Sequence, residues 1–565
     1  MISTDSWISI LQCARKRLKE GDLPFQDLGE SCERLGGQIS EYNKFVAKRQ
    51  SPTLPRLSDK DKVFIQETRA CLRFGICCFA CDDESIRKNL QDLLAESHQL
   101  HVHLTTLLSF EKGDSKCRLF AAQLLSNLAT SNTNTATIIT NTIRLSPSSD
   151  EISNALQKNL TQDDDDSQTG QWHEPSWTNM IVASSRGSDR EVLSAVIAAL
   201  YNCTVALSLD DHISFAKRIS SNSIVVSTLL RQMISVNVVK QSIIKGQNSA
   251  KDTENVDAWD SATDWILLLI SRLMRVGMLP LLFWSITSEG VPSSLTVSPK
   301  SIYPEHNVLL HCAAHEAQSF MDHASAKSHI VTNPMGGDFG WEQVKTSYEF
   351  LVALFCKSHE LSATADDMDS ELARSAALLS IDVMAISLGV DHHESTKLRE
   401  HLGSSTQLIT ASCTMLGRIV DQLNERTKGE KARELKISSD EQQWLVSLVR
   451  LIGNLCYECP NNQDRVRLTS VPVRKSPGSS ELDFPRNGLH VILSCTTFGV
   501  SCFTLREWVV MAIRNILHDN MENQNIVAGL DAQDTVQSME LKQAGVRVTM
   551  DKGGKVSLST LNEEE

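Results

Sequence analysis

Two histidines one helical turn apart, His311 and His315 with Glu316 beside the second, are the closest approach to a metal-binding helix in this chain. A zinc-protease helix needs the glutamate next to the first histidine, where it acts as the base. Cys312 stands there instead. No third ligand is evident, and Asp391-His392-His393-Glu394 has no sequence reason to lie nearby. The pair reads as solvent-facing or hydrogen-bonded histidine. Thiolate chemistry is the second option. Cys78 and Cys81, and Cys456 and Cys459, each have Cys-x-x-Cys spacing, and two such pairs form a zinc site when the fold brings them together. Here they are hundreds of residues apart, and Cys456 falls on an apolar helical stripe. A metal-handling protein holding copper or zinc through these pairs is the alternative reading of function. Asp163 to Asp166 is a solvated run, since adjacent carboxylates diverge. The chain has no glycine-rich phosphate loop, Gly-x-Ser-x-Gly elbow or kinase signature. The expectation is a chain that is not an enzyme and has no cofactor.

A different side chain recurs with purpose. Asn127, Asn202, Asn454 and Asn515 each sit near the end of an apolar helical segment, as in Arg450-Leu451-Ile452-Gly453-Asn454-Leu455-Cys456. That pattern resembles the third helix of an armadillo repeat, a unit of roughly 40 to 47 residues. An amide offers a donor and an acceptor together. Two roles are open: gripping the backbone of an extended partner along a concave face, or bonding a neighbouring loop or helix end within the stack. The second is the more ordinary. The four positions are candidate concave-face contacts with a partner.

The elements that position them are helices. Apolar residues at three-to-four spacing run through Leu119, Ala122, Leu125 and Leu128, through Val192, Val196, Ala199 and Leu200, and through Leu445, Leu448, Ile452 and Leu455. Strand-like alternation is nearly absent before Val546 to Ser559, where it flanks Asp551-Lys552-Gly553-Gly554 and predicts a β-hairpin. An isolated hairpin is marginal in water, so it is expected to dock on the last repeat. The fold class expected is all-α, an armadillo-like helical-repeat solenoid with a small C-terminal β-hairpin. Composition divides the chain into an N-terminal helical region at 1–145, an acidic polar linker at 146–187, helical repeats at 188–244, a polar linker at 245–262, a central helical region at 263–443 and a C-terminal domain at 444–561. That last domain contains a Pro-rich loop at 469–487. The apolar stretch from Trp265 to Ile286 is broken by Arg272, Arg275 and Pro280 and reads as a buried core helix rather than a membrane span.

With 565 residues, the chain exceeds one compact core. A net charge of −14 opposes nucleic-acid binding, which needs a positive field. Fifteen scattered cysteines fit reduced, buried thiols and a cytoplasmic location.

The C-terminal region carries an ordered set of local patterns. Gly453-Asn454-Leu455-Cys456-Tyr457 precedes Asn461-Asn462-Gln463-Asp464. Leu505-Arg506-Glu507-Trp508 and Ala512-Ile513-Arg514-Asn515 follow, then Asn523-Gln524 and Gly545-Val546-Arg547-Val548. This set resembles the characteristic domain of the ataxin-10 family and its fungal homologues, over roughly residues 444–561. Its motif residues Gly453, Leu455, Asn462, Gln463, Arg506, Glu507, Trp508, Asn523 and Gln524 read as structural. The Asn-Gln pairs are expected at helix starts, where asparagine is a good N-cap. Trp508 is expected to pack between repeats, and Arg506 to pair with a carboxylate. The resemblance implies a non-catalytic cytoplasmic scaffold acting in cytokinesis or septation through proteins of the division machinery.

Overall fold

The computed structural model describes residues 25–48, 58–78, 91, 100–109, 114–130, 132–143, 176–186, 190–246, 261–287, 291–295, 300–325, 341–362, 368–389, 393–404, 406–427, 437–472, 486–498, 502–530, 546–550 and 556–560. The acidic run Asp163 to Asp166, Cys81, His392 and the tip of the terminal hairpin lie outside them.

The described residues form an all-α fold of packed helical layers with one terminal hairpin. In order the helices are α1 (Phe25–Lys48), α2 (Asp59–Cys78), α3 (Leu100–Ser109), α4 (Ser115–Ala129), α5 (Thr133–Thr142), α6 (Trp177–Arg186), α7 (Arg190–Ala206), α8 (Leu209–Ser220), α9 (Ser223–Gly246), α10 (Ser261–Arg275), α11 (Leu279–Ile286), α12 (Pro304–Ser325), α13 (Trp341–Ser362) and α14 (Met368–Leu388). There follow α15 (His393–Ser404), α16 (Thr406–Thr427), α17 (Ser439–Cys456), α18 (Pro460–Leu468), α19 (Gly488–Ser494), α20 (Phe503–Leu517) and α21 (Met521–Ala528). Strands β1 (Ser470–Val471) and β2 (Arg486–Asn487) pair antiparallel before α19, and β3 (Val546–Met550) and β4 (Val556–Thr560) form the hairpin. The chain divides into two compact units, 1–383 and 384–565.

In the first unit, α7 is the central layer, with α4 on one side and α10 on the other. Its stripe Val192, Val196, Ala199, Leu200 and Cys203 is buried throughout, as the spacing predicts, and each large aliphatic side chain so buried contributes about 1.5–3 kcal/mol. Helix starts are set by side chains. Asp114, Asn132 and Ser208 cap α4, α5 and α8 by accepting from a backbone N–H of the first turn. Arg69 of α2 also grips Asp114, through Nε at 3.0 Å and Nη2 at 2.5 Å, which ties α2 to the start of α4.

Two sequence expectations change here. The segment 146–187 ends in a helix, α6, rather than in linker. Trp177, Met180 and Ile181 are fully buried in it, and the polar composition around them hid three core residues at helical spacing. The stretch Trp265 to Ile286 is two helices and not one. Gly277, at φ 78°, ends α10. Its N–H donates to Met274 O at 2.9 Å and that of Met278 donates to Leu273 O at 3.2 Å, the paired closure of a Schellman turn. Pro280 then starts α11, and the two axes meet at 119°. Among the described residues no single helix is long and apolar enough to cross a membrane.

Among its described residues this unit holds three buried imidazoles, His101, His212 and His306. His306 stacks on Phe283 with centroids 3.9 Å apart. Its Nδ1 accepts from Tyr303 N–H at 2.9 Å, so its Nε2 donates to Phe283 O at 3.0 Å, and the ring is neutral. Neither ring nitrogen of His101 has a hydrogen-bond partner among the described residues.

The second unit packs α17 against α16 and α20, with α18 wedged beside them. Ser438 and Glu441 form a capping box at the start of α17. Arg486 of β2 clamps Asp421 of α16 at 2.7 and 3.0 Å. Gly453 sets the distance between α17 and α20: a Cβ there would lie 3.0 Å from both Cα and Cβ of Ala512.

Two outcomes follow from this packing. Burial pushes the pKa of His101, His212 and His306 down from 6.5 to about 4. The unfolded chain takes up these protons near pH 6.5 and the folded chain does not until about 4. Stability is therefore full above pH 6.5 and falls as pH drops toward 4, by on the order of 1.4 kcal/mol per pH unit per ring. Urea midpoints measured from pH 7.5 to 4.5 should show that decline, and His101→Leu, which breaks no hydrogen bond, should shallow it by about a third. An unchanged slope in that variant would refute the assignment. Separately, Gly453→Ala should cost about 1–3 kcal/mol by overpacking, read as a lower Tm, and Ala512→Gly in the same chain should restore part of it.

Candidate protein-interaction face

The four recurring asparagines lie on the layer helices α4, α7, α17 and α20. In three of them the side-chain amide reaches back to the preceding layer. Asn202 Nδ2 donates to Ser126 O at 3.3 Å, Ser126 Oγ at 2.9 Å and Thr130 Oγ1 at 3.0 Å. Asn454 Nδ2 donates to Ala385 O at 2.8 Å, and Asn515 Nδ2 donates to Gly453 O at 3.0 Å. The backbone acceptor is the same one each time: the carbonyl just before the equivalent position of the layer behind. Ser126 precedes Asn127, Gly453 precedes Asn454, and Ala385 precedes Ile386. So α14 is a layer of the same kind with isoleucine at the asparagine position, which is why the recurring residue did not reveal it. The Asn127 side chain is half-buried and makes no hydrogen bond among the described residues. The donor half of each of the other three amides is thus committed to the stack, while Oδ1 has no partner among the described residues and is left as an acceptor.

Around Asn515 the exposed surface of α20 adds to that acceptor. Met511, one turn before it, is 43% exposed. Trp508, two turns before it, is half-buried and lies between α17 and α20, with the Arg450 guanidinium 5.0 Å over its ring. Arg506 and Glu507 are exposed and make no ion pair among the described residues, so the expected carboxylate partner of Arg506 is not found there.

The Asn-Gln pairs are not the N-caps that their place near helix starts suggests. The cap positions belong to Cys459, which makes no side-chain cap, and to Asn520, which accepts from Asn523 N–H. The pairs lie in the first turn beyond and reach back seven residues to close the helix before. Asn462 donates to Leu455 O at 2.7 Å and Gln463 to Cys456 O at 3.2 Å. Asn523 donates to Ile516 O at 3.0 Å and Gln524 to Leu517 O at 2.8 Å. These carbonyls are among the orphans that every helix C-terminus leaves. Asn462 and Gln463 also cross between layers. Asn462 reaches Arg399 O at 3.2 Å, and Gln463 Nε2 reaches Asn515 O at 2.9 Å and His518 O at 3.2 Å. Asn520 Nδ2 in turn donates to Gln463 Oε1 at 3.2 Å.

The same device appears in the first unit. Gln91 Nε2 donates to Asn127 O at 2.8 Å and Thr130 O at 2.9 Å, and Asn132 Nδ2 donates to Gln91 Oε1 at 3.2 Å. Both copies put a second asparagine five residues after the layer asparagine, Asn132 after Asn127 and Asn520 after Asn515. That spacing is visible in the sequence. Gln91 has no local signal at all. Between the helices, Glu458 and Asp519 hold the equivalent left-handed position four residues after Asn454 and Asn515, at φ 51° and 52°.

Among the described residues the metal candidates do not assemble. His311 and His315 are both exposed, as expected, and Glu316 is held by Arg275 at 2.5 Å. Burial raises the Cys456 thiol well above its usual range, and the Cys459 thiol is raised too, mainly by burial, which disfavours the thiolate that metal binding requires. Among the described residues no three His, Cys, Asp or Glu side chains converge on one point. The Cys78 side chain and Cys81 lie outside the described residues. Ten described cysteines are buried and form no disulfide among the described residues.

Residues 481–559 match the family model described as the Spinocerebellar ataxia type 10 protein domain. The chain is 30% identical over 139 residues to an ataxin-10 homolog of Dictyostelium discoideum, covering 25% of this chain and 20% of that protein. It is 29% identical over 117 residues to an ataxin-10 homolog of Saccharomyces cerevisiae, covering 21% of this chain and 18% of that protein. The matches therefore span about a fifth of the curated relatives. The solved structure of SYS-1 aligns with 87% of this chain and 76% of its own at 13% identity, with a TM-score of 0.21, which carries no inference.

The network predicts a contrast between its two glutamines. Gln463→Leu takes the side-chain donor from Asn515 O and His518 O and one of its two acceptors from the Asn520 amide, which keeps Asp464 Oδ1. Each buried group left unmet costs about 1–3 kcal/mol, so thermal unfolding should shift down strongly. Gln524→Leu removes one half-exposed hydrogen bond and should cost no more than about 1 kcal/mol. Equal effects would show that the junction does not work this way.

Proposed function

We propose that this chain, whose C-terminal domain matches the ataxin-10 family, is a non-catalytic scaffold whose layer helices present exposed side chains to other proteins. The supporting observation is the half-used amide. Asn202, Asn454 and Asn515 spend their donors on the stack and keep an acceptor oxygen without a partner among the described residues, and in the last layer Trp508 and Met511 flank it. Acceptors beside apolar side chains, as at Asn515, suit a polypeptide segment that brings N–H groups and side chains together. No nucleophile paired with a base and no cluster of metal ligands emerges among the described residues, which fits binding better than catalysis. The family resemblance supplies the finer reading: a cytoplasmic role in cytokinesis or septation, with proteins of the division machinery as partners.

The geometry also dictates how to test it. Asn515→Ala removes a bond of the stack, so lost binding in that variant would not separate the roles. Met511→Glu alters the outward surface instead, while Trp508→Ala alters that surface and also removes the ring beneath Arg450. Affinity capture with the full chain should recover division proteins. Met511→Glu should reduce that capture at least severalfold while leaving the Tm within a few degrees of the parent, and Trp508→Ala should reduce it as much or more with a larger drop in Tm from the lost packing. Capture that follows Tm alone across the three variants, or that recovers no division protein, would overturn the proposal.

A further inference from the structure

The outer side of α20 differs from the same side of every inner layer bearing the recurring asparagine. Five residues before that asparagine stand Ala122 in α4, Ile197 in α7 and Val449 in α17, all fully buried. The equivalent residue in α20 is Val510, which is 58% exposed. In the inner layers this position is covered by the layer that follows. It is also distinct from the stripe of Trp508, Met511 and Asn515, since Val510 and Met511 point about 100° apart around the helix. A further helix cannot seat here as α20 seats on α17. The residue that meets the oncoming helix is Gly453 in α17 but Arg514 in α20.

The next described element in the chain after α21 is the hairpin. Its register sets Val546 opposite Thr560, Val548 opposite Leu558, and Met550 opposite Val556. These positions alternate with Arg547 opposite Ser559 and Thr549 opposite Ser557. One face of the ribbon is thus apolar by position and the other polar. Two strands alone are marginal in water, so the apolar side needs a cover. Residues 531–545 join α21 to β3 and span at most roughly 50 Å, ample for a return to α20. The family match, 481–559, takes in α20 and nearly the whole hairpin as one domain.

We propose that the β3–β4 hairpin closes over Val510 of α20 and seals the end of the stack where a further repeat would otherwise sit. It acts as the terminal cap that a solenoid needs for solubility, built from a ribbon rather than a helix pair. The asparagine stripe stays open beside it, and the inference stands independently of the scaffold reading.

A photo-crosslinker tests it in the full chain and avoids the fifteen cysteines. With p-benzoylphenylalanine in place of Val510, irradiation should give an intramolecular product whose peptides map to 546–560. Crosslinked dimers instead would show that a second copy covers the face, and a product confined to neighbouring helices would show that nothing does; either overturns the proposal. Hydrogen exchange supplies the second arm. Amides of β3 and β4 should exchange at least tenfold faster in the Val510→Asp variant than in the parent, while those of α17 keep their protection. Hairpin exchange that is the same in both would also overturn it.

Discussion

The hydrogen bond from a layer asparagine to the carbonyl behind it, joined to the Gln463 junction, is the constraint that organises the second unit. Apolar burial supplies the greater part of the stabilisation, but it is nearly indifferent to sliding one helix along another. The polar contacts are not. Gln463 meets Cys456, Asn515 and His518 at once, so α18 is fixed relative to the ends of both α17 and α20. Asn515 then reaches Gly453 only if α20 stands at one height on α17. Gly453 permits the close approach that makes this bond possible. Register is specified by groups whose misplacement would leave buried carbonyls unmet.

That division of labour explains what the sequence disclosed. Helical stripes such as Val192 to Cys203 are local, and burial follows them directly. The recurrence of asparagine was legible because four layers use the same residue. Three things were not. Gln91 makes a contact with partners tens of residues away, and nothing local marks it. Ile386 occupies an asparagine position and erases the signal of its layer. The Asn-Gln pairs look like helix caps because they sit near a helix start, whereas their side chains serve the helix before. In each case the missing information is which backbone carbonyl comes within reach, and that is a property of the packed stack.

The motif residues that carry the family likeness are mostly interior. Gly453, Leu455, Asn462, Gln463 and Asn523 are buried, and each meets a backbone or closes a helix contact. Arg506 and Glu507 are the exposed exceptions. A likeness built on junction residues reports how the layers are joined. It says much less about what they bind, because a partner reads the exposed positions between those residues.

On the proposed scaffold reading, binding specificity rests on few atoms per layer. The amide oxygens are the same in each asparagine layer and distinguish nothing among partners that offer N–H groups. Discrimination must come from what flanks them. In α20 those flanks are Trp508, held by Arg450, and the exposed Met511. In α7 the corresponding positions are Ala195 and Ala198. An aromatic ring and a flexible thioether offer far more contact area than two alanine methyls. On the same scaffold reading, the last layer is thus the stronger anchor for a partner's apolar side chain, and α7 offers little beyond its acceptor.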